Sequence, residues 1–203
     1  MAPRQVGYEP LMTAHRFAVG TTTLDLVQGD VTREETDAIA NAANALLLGG
    51  GGVDGAIHRA AGPELLDALR ALKKTLPGGA LRTGGALMTD GYKLAARHVV
   101  HCVGPIYARE EGEAPALLAS CYREALRLVR AAGLRSIAFP SISTGVYGYP
   151  VDQAAEVALG AVVDELREHA APASVRFVLF DAATLAAYAA VAARLGLDRA
   201  PPV

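Results

Sequence analysis

Residues 37–62 read DAIANAANALLLGGGGVDGAIHRAAG, and three kinds of chain follow one another inside them. Asp37 to Asn41 is a short run of strand character. The polar, alanine-rich Asn41-Ala42-Ala43-Asn44 comes next, and then four glycines, Gly49 to Gly52. Val53, Ile57 and Ala61 fall at i, i+4 and i+8, one apolar stripe along a helix over Val53–Ala61 that Gly62-Pro63 stops. Strand, glycine-rich loop and helix in that order make one unit of an α/β protein.

The same alternation continues outward from this stretch. Upstream, Arg16–Val19 and Thr23–Val27 are β-prone runs split by Gly20-Thr21-Thr22, a hairpin. Downstream, Glu64–Thr75 is amphipathic, with Leu65, Leu66, Leu69 and Leu72 inward and Arg70, Lys73 and Lys74 outward. Ala86–Thr89 and Arg97–Val103 read as strands joined through Asp90-Gly91. Helices over Pro115–Ala132, Val151–His169 and Ala182–Leu195 alternate with strands over Ser136–Phe139 and Ser174–Phe180. Strands interleaved with helices of this length predict an α/β sandwich with a mostly parallel central sheet. No repeat, linker or charge block divides it. The expected layout is one domain over residues 15–198, between an N-terminal arm (1–14) and a C-terminal tail (199–203).

Composition excludes several classes of function. A hydrophobic content of 52% with 20% charged residues excludes a disordered chain. Nineteen basic against 21 acidic residues leave a net charge of −2, too weak a field for a protein that coats a duplex. Two cysteines, Cys102 and Cys121, exclude a disulfide-dense scaffold. Charges interrupt every apolar stretch short of about 20 residues, so no membrane span is expected. Met1–Gly20 has no apolar core of a signal peptide. The expectation is a cytoplasmic monomer whose partners include neither a membrane nor a specific nucleic-acid sequence.

In open α/β sheets ligands bind beyond the carboxyl ends of the strands. Four segments stand there: Gly29-Asp30-Val31, Asn41 to Asp54, Ser141 to Tyr147, and Phe180-Asp181. Gly50 to Gly55 matches GxGxxG, yet residue 74, where a ribose-binding acid would stand, is a lysine, and no Gly-Lys-Ser/Thr follows. Four glycines feeding a helix still expose backbone N–H groups at its positive end, a cradle for an anion, unless they form only a flexible loop. Asp54 and His58 share a helix face four residues apart, either as simple dipole and pairing chemistry or as a base and its orienter. Ser143, Thr144, Gly145, Val146 and Tyr147 form either a tight connection or a second anion loop. Two such loops suit a diphosphate. Asp30 suits a ring amino group, and Phe180 is either core or a stacking platform. No metal site is expected: His98 and His101, three apart on a strand, face opposite sides.

Taken together, Gly29-Asp30-Val31-Thr32, Asn41-Ala42-Ala43-Asn44, GGGGVDGAIHRAAG over 49–62, Val103-Gly104-Pro105 and STGVYGYP over 143–150 resemble the macrodomains, and among them the MacroD-type ADP-ribosylhydrolases. The resemblance covers about residues 15 to 190. It implies a three-layer α/β/α sandwich with a mixed, mostly parallel sheet and a cleft for ADP-ribose. Asp30 would bind the adenine amino group beside the backbone of Val31, with Phe180 stacking on the ring and Asp181 next to it. Gly50, Gly51, Gly52 and Val53 would cradle one phosphate, and Ser143, Thr144, Gly145, Val146 and Tyr147 would close over the diphosphate. Asn44 would hold a distal-ribose hydroxyl, and Asp54 would position or activate the attacking water, with His58 beside it. The implied substrates are mono-ADP-ribosylated proteins, cleaved at acidic side chains, and O-acetyl-ADP-ribose, with no cofactor or metal. A reader module that binds ADP-ribose without turnover is the alternative, disfavoured by Asn44 and Asp54 occurring together. Two departures stand out: Leu81-Arg82-Thr83-Gly84-Gly85 replaces a common Cys-Pro-Thr-Gly-Glu, and Ala40 replaces a β-branched residue.

Overall fold

The structure, a computed structural model, describes residues 13–110 and 112–199. Seven strands, β1 (Thr13–Val19), β2 (Thr22–Gln28), β3 (Ala38–Ala43), β4 (Ala86–Asp90), β5 (His98–Val103), β6 (Ser136–Phe139) and β7 (Ser174–Leu179), form one sheet in the order β1-β2-β7-β6-β3-β5-β4. The five inner strands run parallel, and the edge strands β1 and β4 pair antiparallel with β2 and β5. Among the described residues five α-helices cover it: α1 (Gly52–Ala61), α2 (Pro63–Lys73), α3 (Ala114–Ala131), α4 (Val151–His169) and α5 (Ala182–Arg194).

The period-2 alternation of the strands separates two cores. Ala38, Ala40, Val100, Cys102, Ile137, Phe139, Val175 and Phe177 point toward α3, α4 and α5. Ile39, Val99, Ala138 and Val178 point the other way, onto Ile57 of α1 and Leu65 and Leu69 of α2. The expected sandwich is therefore present, with three layers. Leu65 and Leu69 are fully buried, whereas Leu66 and Leu72 are half-buried at the margin of the α2 stripe.

Three expected boundaries move. β1 begins at Thr13, inside the arm expected over 1–14, because the hairpin register continues to Thr13 opposite Val27; residues 1–12 lie outside those described. At the other end, Ala18 N–H donates to Asp198 O, and Arg199 bridges Phe17, so the domain runs to 199; residues 200–203 lie outside those described. β3 continues through Asn41 and Ala42 to Ala43, two residues past the expected strand end. Pairing with β5 in register over its whole length holds it extended despite the polar side chain.

Candidate functional site

The carboxyl ends of β3 and β6 lie side by side in the sheet, and the loops that leave them bound a cavity of about 290 Å³. One wall is Asn44 with Gly50, Gly51, Gly52, Val53 and Asp54; the other is Ser141 to Ser143 with Gly145, Val146 and Tyr147, and Gly104 lies at the base. That volume is near the lower end for small-molecule sites.

The first wall owes its shape to glycine. A Cβ on Gly55 would stand 2.5 Å from the Gly50 carbonyl oxygen, so the loop folds tightly onto the first turn of α1 only because no Cβ is there. Gly51 caps α1 without a side-chain hydrogen bond, so the first N–H groups have neither a cap nor an intrahelical partner, and Gly52, Val53 and Asp54 of that turn line the cavity at the positive end of the helix dipole. Asn44 holds the loop from within: its Nδ2 donates to Gly49 O (2.8 Å), and its Oδ1 accepts from Leu46 N–H (3.0 Å). One Nδ2 hydrogen remains for a ligand.

The opposite loop is tied down by core hydroxyls. Ile142 N–H donates to the buried Tyr122 hydroxyl (3.2 Å), and Ser141 Oγ pairs with the Tyr188 hydroxyl (2.9 Å). Ser143 adopts a left-handed backbone (φ 67°) rare for a residue with a side chain, and its buried Oγ has no partner among the described residues. A buried hydroxyl without a partner beside a cavity suits a ligand oxygen. Thr144 differs: its Oγ1 donates back to Ser141 O (3.1 Å), so the hydroxyl is spent inside the loop.

Asp54, 4% exposed, stands between the walls. Its Oδ1 accepts from Asn41 Nδ2 (2.7 Å) and lies 3.5 Å from His58 Nε2, which puts the expected i, i+4 pair together. Its Oδ2 is buried with no partner among the described residues and faces the position of Gly50, where a Cβ would come within 3.1 Å. Burial raises the Asp54 pKa, while the Asn41 hydrogen bond and His58 pull it down. Burial and the nearby Asp54 charge raise that of the Tyr147 hydroxyl.

Asp30, Val31, Phe180 and Asp181 stand apart from this cavity, past the ends of β2 and β7. Gly29 N–H donates to Leu179 O, which sets the two strand ends abreast. Asp30 Oδ1 accepts from both the backbone N–H and the hydroxyl of Thr32, while Oδ2 lies 4.0 Å from Arg33 Nε, an exposed ion pair too long for a hydrogen bond. The Val31 side chain is buried, so only its backbone is left for a ligand. Phe180 is 82% exposed and is therefore not core. Asp181 Oδ1 caps α5 by accepting from Thr184 N–H (2.8 Å), a structural task that the sequence reading did not assign to it.

A model of the Macro domain matches residues 40–158. The chain belongs to the macro domain family. A protein of Salmonella gallinarum named "O-acetyl-ADP-ribose deacetylase" is 50% identical over 180 residues, covering 89% of this chain and 99% of its own. A macro domain protein of Streptomyces griseus is 54% identical over 157 residues, covering 77% and 87%. Among solved structures, the Oceanobacillus iheyensis macrodomain with ADP superposes with a TM-score of 0.87 at 46% identity, covering 89% of this chain and 95% of that one. The Trypanosoma brucei macrodomain in complex with ADP-ribose gives 0.72 at 44% identity, covering 81% and 67%.

In this macro domain the divergent Leu81–Gly85 segment supports the first wall from behind. Leu81 N–H donates to Ala45 O, and Gly84 packs against Leu117 and Ser120 of α3. Sequence reasoning quoted Asn41 without a role, weighed His101 only as a metal ligand and passed over Thr89; all three lie behind Asp54. A polar residue among the alanines of β3 was the one available signal for Asn41.

Proposed function

We propose that this macro domain binds ADP-ribose and hydrolyses ADP-ribosyl esters, both those on acidic side chains of mono-ADP-ribosylated proteins and the acetyl ester of O-acetyl-ADP-ribose. One observation carries the catalytic part: the Asp54 carboxylate is held by one oxygen, and the other is buried, unpartnered and aimed at the glycine loop. A reader of ADP-ribose needs no such group. The Salmonella relative's name and the nucleotides held by the two solved relatives support the ligand class.

In this reading the free N–H groups of α1 and the Ser143–Tyr147 loop hold the diphosphate, and Asn44 holds the distal ribose. Asp30 Oδ2 accepts from the adenine amino group and Phe180 stacks on the ring. Water held by Asp54 attacks the ribosyl carbon of the protein ester. A carbon–oxygen bond forms there, the bond to the side-chain carboxyl oxygen breaks, and the carboxylate leaves. The water's proton passes to Asp54 or to a ligand phosphate oxygen. The test is release of ADP-ribose from a protein mono-modified on glutamate, beside one modified on arginine and beside O-acetyl-ADP-ribose. The expected result is release from the glutamate-linked and acetylated substrates. ADP-ribose binding with no release from any of them would leave the reader module.

A further inference from the structure

Asp54 is one end of a hydrogen-bond chain that crosses the sheet beneath α1. In the paired register Asn41 of β3 lies opposite His101 of β5, and Thr89 of β4 is opposite Val99. Because side chains alternate between faces, Asn41, His101 and Thr89 all project on the α1 side, where Asp54 sits. Asn41 and His101 have no exposure at all, and Thr89 is buried as well. Asn41 Nδ2 lies 2.7 Å from Asp54 Oδ1 and 3.1 Å from His101 Nδ1; His101 Nε2 lies 3.0 Å from Thr89 Oγ1, which lies 3.0 Å from Asp90 O.

Donors and acceptors admit one consistent order. The Asp90 carbonyl only accepts, so the Thr89 hydroxyl donates to it and accepts from His101 Nε2–H. That makes His101 the neutral Nε2–H form, with Nδ1 an acceptor. Burial pushes the His101 pKa down to about 3, with the charge of His58 a smaller cause. Asn41 then donates one amide hydrogen to His101 and the other to Asp54. Rotating that amide would set its oxygen against both the carboxylate and the Nδ1 lone pair.

We propose that Thr89, His101 and Asn41 are positioning residues that anchor Asp54 Oδ1 and reserve Oδ2 for the water. The catalytic half rests on the hydrolase reading above; the direction of the chain does not. An anchored donor to a buried carboxylate keeps it ionised against the pull of burial. The other groups facing Asp54 are His58 on its own helix, Tyr147 from the loop after β6, and Asn44 beside the glycines.

Two measurements test this. Nitrogen NMR of the imidazoles, with His101 assigned through His101→Gln, should show a neutral Nε2–H ring from pH 5 to pH 8. An Nδ1–H ring, or one that titrates in that range, overturns the chain whatever the enzyme does. In the ester hydrolysis assay, His101→Leu leaves the second Asn41 hydrogen without an acceptor. Its acidic limb of kcat should move up by about one pH unit, with ADP-ribose affinity within about threefold of the parent. Glutamine can accept from Asn41 and donate to Thr89, so His101→Gln should restore most of the shift. Thr89→Val should move the limb the same way by less, and it serves if His101→Leu does not fold. A fallen kcat with an unmoved limb in both His101→Leu and Thr89→Val would make these residues mere packing. Asp54→Ala hydrolysing at the parent rate would overturn the catalytic half and the hydrolase reading together, with the NMR result still deciding the chain.

Discussion

Asp54 carries the strongest conflict between stability and use. Its folded-state pKa is raised above the ordinary carboxyl value of 3.8, burial being the largest cause. The sign follows: a raised carboxyl loses stability as pH rises through its folded pKa, so at neutral pH the ionised form weakens the fold. Asp54→Asn keeps an oxygen that can accept from Asn41 and removes the buried charge. It should raise stability at pH 7 by about 0.5–2 kcal/mol in urea unfolding, while removing ester hydrolysis. Asp54→Ala should lose about 10²–10⁴-fold in hydrolysis and keep ADP-ribose affinity within about tenfold by calorimetry. Asn44→Ala should impair both, since that side chain shapes the loop through Gly49 and Leu46 as well as lining the cavity.

At the scale of the elements, two glycines, Gly145 on one wall and Gly55 behind the other, should behave in opposite ways. A Cβ on Gly145 meets nothing within 4 Å, and its backbone is not left-handed. Gly145→Glu should therefore melt like the parent yet abolish ADP-ribose binding, because the new carboxylate enters the space proposed for the diphosphate. A Cβ on Gly55 collides with the Gly50 carbonyl, a backbone atom that cannot swing aside. Gly55→Ala should cost about 1–3 kcal/mol in unfolding and weaken binding by displacing the glycine loop from α1. A Gly145→Glu protein that binds normally would remove the Ser143–Tyr147 loop from the phosphate site. The loop is a precise wall because Tyr122 and Tyr188, both buried in the core, hold Ile142 and Ser141.

Across the whole molecule, acid should unfold the domain partly through one histidine. His101 is held at about 3 against an ordinary 6.5, so its contribution is complete above pH 6.5 and is lost as pH falls toward 3. The slope from this group approaches about 1.4 kcal/mol per pH unit below pH 6.5. Urea midpoints measured from pH 6.5 down to 4.5 should fall in the parent and fall less steeply in His101→Gln. Equal slopes would mean that His101 is not buried in its neutral form. The polar groups of the molecule are distributed accordingly. Where α1 covers the sheet they form the neutral chain behind Asp54, and on β1, β2 and β7 Arg16, Asp25 and Arg176 pair with one another and with Glu34.

Local pattern alone determined the class, the element order and many boundaries. β6 over Ser136–Phe139 and α4 over Val151–His169 coincide with the elements read from local pattern, since turn residues bracket both; β6 is a short run buried on both faces, and α4 carries its apolar residues at helical spacing. Asn44, the glycine loop, Asp54 and His58 were legible for the same reason: they lie within fifteen residues, and loop-to-helix geometry brings them together without help from the rest of the chain. The expectation for Phe180 was open between core and platform, and its exposure removes the core. Asn41, His101 and Thr89 were not legible, because 60 residues separate Asn41 from His101 and nothing along the chain relates them. Only the parallel register of β3 on β5, and the antiparallel register of β4 on β5, place the three on one face. A one-residue slip in either pairing would send a polar side chain into the opposite core and break the chain. Sequence therefore determined which groups could do the chemistry, and the tertiary structure decided which oxygen of Asp54 is held and which is free, because that depends on partners brought in by strand pairing.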